Sequence, residues 1–245
     1  MKKKKGNEVK TQAVGRNRRN FLKVSGLALA GSGLLLASCD NDDDAGYMNP
    51  NGIFDLGSGD VGVLNYAYAL EQLEAAFYTS VLDGSYWAGA DAEEKAILED
   101  LYNHEVNHRD WFRAAIGANV TNPAQRLPDN LEFDFSSVDF SSRTSVLQTA
   151  MALEDTGVGA YNGAGIYIQT PLYLTLAGKI VSVEARHAAA IRSIMNPDGD
   201  FKAFAGDDIV TVDTGLDVAY TPEKVFENAG PFIVTPFTYK NPMGS

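Results

Sequence analysis

Two of the three histidines in this 245-residue chain follow a glutamate by three positions, as Glu105/His108 and Glu184/His187. Residues three apart on an α-helix lie on one face, so each pair can direct a carboxylate and an imidazole toward the same point. These side chains are common ligands of iron, manganese and zinc. The spacing therefore predicts a metal site, provided that both pairs lie on helices whose faces meet.

Four segments have the start signals of helices. Asp60 follows Gly-Ser-Gly as an N-cap, and Asp91 with Glu94 three residues later forms a capping box. Thr170 followed by Pro171 is typical of a helix start as well. The predicted helices cover about 60–82, 91–117, a stretch from Ser141 or Ser142 to beyond Tyr161, and 170–195.

Each predicted helix carries an apolar stripe that glutamate interrupts near the middle. An unpaired carboxylate on a buried stripe costs several kcal/mol, and the stripes offer no matching set of Lys or Arg. Divalent cations would neutralise these charges. The interrupting residues are Glu71 and Glu74 on the first helix, Glu105 on the second, Glu154 on the third and Glu184 on the fourth.

The chain also contains an internal repeat. Glu71 precedes Tyr78 by seven residues, Glu154 precedes Tyr161 by seven, and a Glu-x-x-His helix follows each pair. Two helical hairpins are therefore predicted, with a connection of about 25 residues that reaches up to roughly 80 Å when extended. We expect an all-α fold, a four-helix bundle at residues 60–195 with one long crossover.

This pattern resembles the ferritin-like dinuclear carboxylate proteins, in which two helices each supply one Glu and two others each supply Glu-x-x-His. The segment 70–78 is further similar to the ferritin-like domain family that includes plant desiccation-related proteins. The resemblance implies a ferritin-like bundle that holds two iron ions, or two manganese ions, with two of the Glu bridging them. The implied ligands are Glu71, Glu105, His108, Glu154, Glu184 and His187.

Four further side chains lie near these ligands. Glu74 shares the stripe of Glu71, and Glu71 is preferred because its spacing to Tyr78 matches the third helix. Tyr78 and Tyr161 are expected either to hydrogen-bond the ligands or to be core aromatics with outward hydroxyls. His104 lies off the stripe and is expected to be a surface or hydrogen-bonding histidine.

Residues 1–39 have the parts of an export signal. Residues 1–38 carry nine Lys or Arg and one acid, and their apolar stretch is shorter than the roughly 20 residues that span a bilayer. Arg18 and Arg19 resemble the twin-arginine motif, and the residues before Cys39 resemble a lipobox, whose Cys is lipidated. We expect an exported protein anchored by lipid at Cys39 in the cell envelope, with the outer-membrane surface as one destination. An acidic linker is expected at 40–59.

The composition limits the partners. The chain has net charge −12, and residues 39–245 alone hold 11 basic and 31 acidic residues. Such acidity argues against nucleic acid as a partner. A single Cys excludes a disulfide framework and a four-Cys iron site. The membrane, through the lipid anchor, and a small oxidant or metal ion as substrate are the expected partners.

The expected function is redox chemistry at a two-metal centre, of ferroxidase, peroxidase or catalase type. The alternative is a desiccation-related stress protein that binds metal without turnover. Residues 196–245 are expected to form a mostly irregular arm that packs on the bundle. Within the arm, a strand-like run at 209–212 and a short helix at 222–229 are predicted. The sequence leaves the oligomeric state open.

Overall fold

The computed structural model describes residues 52–196 and 202–239. In chain order the elements are β1 (Phe54–Asp55), α1 (Gly59–Asp83), α2 (Ser85–Gly89), α3 (Ala92–Asn119), α4 (Arg143–Ala164), α5 (Pro171–Met195), α6 (Pro222–Ala229) and β2 (Phe237–Thr238). No helix in this described part is long and apolar enough to cross a membrane. The predicted lipidation site Cys39 and the pair Arg18 and Arg19 lie outside the described residues and stay predictions.

The starts of the long helices are stabilised in different ways, and α1 and α5 have no side-chain cap. The Asp91 carboxylate accepts the backbone N–H groups of Glu93 and Glu94 at 2.9 Å each, and so caps α3. At α5 the predicted cap Thr170 makes no side-chain capping bond. Asp60, from the start of α1, instead accepts the backbone N–H groups of Gln169 and Thr170. The start of α5 is therefore fixed by a tertiary contact.

Four long helices form the bundle, with α1 packed on α3 and α4 packed on α5. The core between them consists of large apolar side chains, among them Leu73, Leu98, Leu147 and Ile191, which are almost fully buried. Each such side chain stabilises the fold by about 1.5–3 kcal/mol relative to an exposed one. The predicted all-α four-helix bundle is confirmed.

The connection between α3 and α4 runs along the whole of α1. Near the start of α1, Asn65 donates to the Gln125 carbonyl and accepts the Leu127 N–H. At mid-helix, Gln72 accepts the Leu131 N–H at 3.2 Å. Beyond the end of α1, the N–H of Tyr86 donates to the carbonyl of Phe140. Buried amides on α1 thus pair the backbone of a segment that crosses the bundle from one end to the other.

The prediction of a linker up to residue 59 is wrong for its last residues. Phe54 lies in β1, which pairs in parallel with β2, with Phe54 opposite Phe237. Phe54 and Leu56 are both buried in the core. The apolar residues after the acidic run therefore tie the chain to the bundle, because their burial outweighs the local Gly and Asn content.

The C-terminal arm docks on α4 through its backbone. The N–H of Tyr220 donates to the Gly159 carbonyl at 2.8 Å, and Asn162 donates to the Val218 carbonyl at 2.9 Å. Helix α6 follows at 222–229, as predicted, and buries Val225 against the bundle. The arm therefore forms part of the packed bundle.

The strand-like run at 209–212 does not form a strand. This run is a turn with one isolated bridge, between Thr211 and Leu216, and Val212 is 76% exposed. Gly206 and Gly215 adopt positive φ angles of 68° and 66° and turn the backbone on either side. Because no strand within residues 52–196 and 202–239 pairs with the run, its β-branched residues do not build a sheet there.

Candidate metal centre

The helices bring the six predicted ligand residues together at mid-bundle. Five of these side chains are buried, and the sixth, His108, is partly buried. Their ligand atoms form two groups, each with all atoms within 4.8 Å of one another. The first group is Glu71, Glu105, His108 and Glu184, and the second is Glu105, Glu154, Glu184 and His187.

Each group is arranged around an imidazole Nδ1 atom. Nδ1 of His108 lies 3.4 Å from an oxygen of Glu71 and of Glu105, and 2.9 Å from one of Glu184. Nδ1 of His187 lies 2.9–3.4 Å from oxygens of Glu105, Glu154 and Glu184. Two ligands about 2.1 Å from one ion at a right angle lie about 3 Å apart. The two groups therefore have the spacing of ligand shells.

Glu105 and Glu184 belong to both groups, and each directs one oxygen toward each histidine. Oε1 of Glu105 lies 2.9 Å from Nδ1 of His187, and Oε2 lies 3.4 Å from Nδ1 of His108. Glu184 repeats this, with Oε1 near His108 and Oε2 near His187. A carboxylate shared in this way is placed to bridge two cations. Glu71 and Glu154 each belong to a single group.

Two tyrosines hold the unshared glutamates across the bundle. The hydroxyl of Tyr78 on α1 donates to Oε1 of Glu154 on α4 at 2.5 Å. The hydroxyl of Tyr161 on α4 donates to Oε1 of Glu71 on α1 in a short hydrogen bond. The alternative of core aromatics with outward hydroxyls is therefore wrong, because both hydroxyls are buried at the centre. Each bond uses Oε1 of its carboxylate, so that Oε2 of Glu71 faces His108 and Oε2 of Glu154 faces His187.

Glu74 is buried beside the centre and belongs to neither group. The internal repeat places Gly157 on α4 at the position equivalent to Glu74 on α1. A Cβ at position 157 would lie 3.0 Å from Oε1 of Glu74. Because Gly157 has no side chain, the Glu74 carboxyl has room beside it.

Burial raises the pKa values of the unshared carboxyls. It brings the pKa of Glu71 and of Glu154 to about 8, although His108 and His187 respectively act to lower them. Burial, together with the neighbouring carboxylates, raises the pKa of Glu74 well above its usual range. These three groups therefore hold protons at neutral pH when no cation is bound.

The pKa of the shared Glu105 is lowered and those of both histidines are raised, so that the charged form of each group is favoured. Burial acts to raise the pKa of Glu105, but the neighbouring imidazoles of His108 and His187 outweigh it and lower that pKa. Burial acts to lower the pKa values of both histidines, but the carboxylates around them raise both. The cluster without metal is thus held by protons shared among imidazoles and carboxylates, and a cation must displace them.

Four buried carboxylate oxygens at the centre receive no hydrogen bond. They are Oε2 of Glu71, Oε1 of Glu105 and both oxygens of Glu184. The imidazole nitrogens near them lie at ion-pair distance without hydrogen-bond geometry. Among the described residues, no Lys or Arg contacts these carboxylates. Buried oxygen lone pairs without donors fit a bound cation, and oxygen and nitrogen donors without thiolate suit iron or manganese.

His104 has a larger role at the site than its position off the apolar stripe indicated. Its Nδ1 lies 2.9 Å from Nε2 of His187, and the two rings stack at 5.1 Å with an interplanar angle of 10°. Partial desolvation by the surrounding protein, together with His187 and His108, lowers the pKa of His104. The expectation of a surface or hydrogen-bonding histidine named no partner, because a contact between α3 and α5 cannot be read from spacing within α3.

A small cavity and a partly exposed histidine lie next to the centre. An apolar cavity of about 30 Å³ lies beside it, with room for about two water-sized molecules. Leu70 and Tyr161 line this cavity, and both adjoin Glu71, the first in the chain and the second by its hydrogen bond. On another side the His108 side chain is 14% exposed, whereas that of His187 is 4% exposed. Among the six ligand residues, His108 is therefore the one most accessible to solvent.

Comparison with known proteins agrees with this geometry. No curated protein matches the chain. Residues 59–197, more than half of the chain, match the ferritin-like domain family. The match spans the four long helices and every residue of the two groups. The chain therefore belongs to the ferritin-like domain family.

Proposed function

We propose that this protein binds two iron or manganese ions and carries out redox chemistry on dioxygen, hydrogen peroxide or iron(II). One observation carries the proposal: two overlapping groups of buried ligands share Glu105 and Glu184, whose oxygens lack donors. One ion would be held by Glu71 and His108, and the other by Glu154 and His187, with both shared carboxylates between them. Redox cycling of the two ions is the chemistry that the metal supplies.

The protein groups fix the ligands before any metal binds. The Tyr78 and Tyr161 hydroxyls orient the unshared carboxylates, so that the site loses little side-chain freedom on binding. Each group supplies four residues, fewer than the six ligands of an octahedral ion, and so leaves room for a substrate oxygen. The apolar cavity beside Tyr161 supports access by a small uncharged oxidant.

Metal content and turnover of the purified protein test this proposal. We expect two ions per chain after anaerobic loading with iron(II) or manganese(II). We also expect oxidation of iron(II) by oxygen, or consumption of peroxide. Glu184→Gln should lose both properties, because it replaces one of the two oxygens that face the groups by an amide NH2 and removes the charge that both groups share. Glu99→Gln, on the exposed face of α3, is the matched control and should retain both. Fewer than two ions in the wild type would contradict the proposal.

A metal-binding stress protein without turnover is the other outcome of this experiment. Two bound ions with no reaction toward oxygen, peroxide or iron(II) would support it. The acidity of residues 39–245, which keeps a protein hydrated, is consistent with such a role. The partial exposure of the His108 side chain and the cavity lined by Tyr161 favour turnover instead, because a purely structural metal site is closed.

The proposed location is the cell envelope, with the protein exported through its arginine pair and anchored by lipid at Cys39. The sequence of residues 1–39 supports this proposal. Cys39→Ala should move the protein from the membrane fraction to the soluble fraction. Arg18→Lys combined with Arg19→Lys should retain it in the cytoplasm, and unchanged fractionation of both variants would contradict the proposal.

A further inference from the structure

We infer that His104 is a positioning residue for His187, and that through it the two metal positions differ in affinity. The inference rests on the proposed two-metal function. Its basis is the 2.9 Å contact between Nδ1 of His104 and Nε2 of His187, made across the α3–α5 interface. His104 is exposed, whereas the His187 imidazole is buried among carboxylates. His187 is thus contacted at both ring nitrogens, at Nε2 by His104 and at Nδ1 by the carboxylates.

The contact matters because it selects the tautomer of His187. A neutral imidazole has one N–H, and the nitrogen that binds metal must present a lone pair. When Nε2–H donates to Nδ1 of His104, Nδ1 of His187 keeps its lone pair toward the carboxylates. Hydrogen bonds of this kind orient a ligand imidazole and raise its basicity, and their removal costs about 10–100-fold in metal affinity.

The other histidine has no such support. Every hydrogen bond and ion pair of His108 within the described residues is made by Nδ1, and none by Nε2. The remaining contacts of the two groups are matched: each has one unshared Glu, one tyrosine hydroxyl on that Glu and both shared carboxylates. Among the hydrogen-bonding contacts of the two imidazoles, the contact of His104 is therefore the one without a counterpart, beside the greater exposure of His108 and the buried Glu74.

The internal repeat shows where this difference arises. Glu105 and Glu184 are equivalent, so the residue before each is equivalent too, and His104 on α3 corresponds to Val183 on α5. A valine side chain has no hydrogen-bonding atom. The group around His187 should therefore fill first, and the group around His108 should fill second.

Titration of the full chain with manganese(II) alone tests the inference, with free metal counted by its electron paramagnetic resonance signal. The wild type should bind two equivalents in steps that differ about tenfold or more in dissociation constant. His104→Val should weaken the tighter step about 10–100-fold and bring the two steps together. Val183→His should tighten the weaker step, because it places an imidazole at the equivalent position. Asn107→Ala, on the same helix and exposed, is the control and should leave both steps unchanged.

Each other outcome has a definite meaning. Two equal steps in the wild type, or equal weakening of both steps by His104→Val, would overturn the inference and leave the two-metal function in place. Absence of binding of both manganese(II) and, under anaerobic conditions, iron(II) by the wild type would overturn both. Circular dichroism of each variant before titration shows whether the bundle is folded, and Val183→His gives a gain that misfolding cannot produce.

Discussion

The hydroxyl of Tyr78 on α1 donates a 2.5 Å hydrogen bond to the carboxylate of Glu154 on α4. The hydroxyl of Tyr161 on α4 makes the reverse bond, to Glu71 on α1. Each half of the bundle therefore orients a carboxylate that the other half supplies. This exchange couples the correct packing of the two hairpins to the geometry of the metal centre.

Removal of these hydroxyls should weaken metal binding more than it weakens the fold. Tyr78→Phe and Tyr161→Phe keep the buried ring, so the core stays filled. Each should lower metal affinity about 10–100-fold, because a carboxylate loses its orienting bond. Equilibrium dialysis against manganese(II) measures the change. Tyr86→Phe is the matched control, because Tyr86 donates a similar 2.7 Å bond to Glu94 away from the centre. It should affect stability alone.

Metal should raise the thermal stability of the protein. Metal binds the folded state only, so it should add about 3–4 kcal/mol at metal several hundred- to a thousandfold above its dissociation constant. Glu105→Ala and Glu184→Ala should abolish this gain, since each removes a carboxylate common to both groups. Differential scanning calorimetry with and without iron(II) or manganese(II) measures it. An equal rise in the melting temperature of wild type and both variants would place the metal elsewhere on the acidic chain.

Metal binding should release protons and strengthen as the pH rises from about 6 to 8. The pKa values of Glu71 and Glu154 are raised to about 8, so both carboxyls are protonated in that range without metal. Calorimetric titration in two buffers of different ionisation enthalpy counts the released protons. A proton count of zero at pH 7 would contradict the assignment of Glu71 and Glu154.

The same shifts set the pH dependence of the metal-free protein. A carboxyl whose folded pKa lies above its unfolded value stabilises the fold below the unfolded pKa, and this contribution is lost as the pH rises through the folded pKa. Glu71 and Glu154 should therefore make the free energy of unfolding fall between about pH 4.5 and 8. Urea denaturation of the metal-free protein across this range measures the fall, and added metal should reverse it.

Gly157→Ala should perturb the centre although it lies outside both ligand groups. The added Cβ would lie 3.0 Å from Oε1 of Glu74, so this buried carboxyl, which lies beside the centre, must shift by a few tenths of an ångström. Metal affinity should change, and the change should disappear when Glu74→Ala is combined with it. Gly178→Ala, on α5 with no atom within 4 Å of the new Cβ, is the control. It should stabilise the helix by up to about 1 kcal/mol without altering metal binding.

Gly163→Ala should detach the C-terminal arm from α4. A Cβ at this position would lie 1.9 Å from the carbonyl oxygen of Tyr220, which is backbone and cannot rotate away. We expect a loss of about 1–3 kcal/mol or more in the free energy of unfolding. Hydrogen exchange should show faster exchange at the N–H of Tyr220, which donates to Gly159. Unchanged protection there would contradict the docking described for the arm.

The sequence by itself determined the class of fold and the candidate ligands. Glu and Glu-x-x-His recur at fixed helical spacing on apolar stripes, and both the stripe and the spacing are local properties that survive without knowledge of packing. The helix start at Asp91 followed from local capping chemistry for the same reason. The repeat of Glu71/Tyr78 and Glu154/Tyr161 indicated two equivalent halves, although it left the role of the tyrosines open.

Only the tertiary structure decided which side chains meet between helices. The rotation of α3 against α5 brings His104 to His187, and the approach of α4 to α1 leaves room at Gly157 for Glu74. The strand-like run at 209–212 forms no strand, and Leu56, which was expected in the linker, is buried in the core. Both outcomes depend on contacts with residues distant in the chain, which local sequence does not specify. Contacts between elements depend on the positions and rotations of whole helices, which no local spacing specifies.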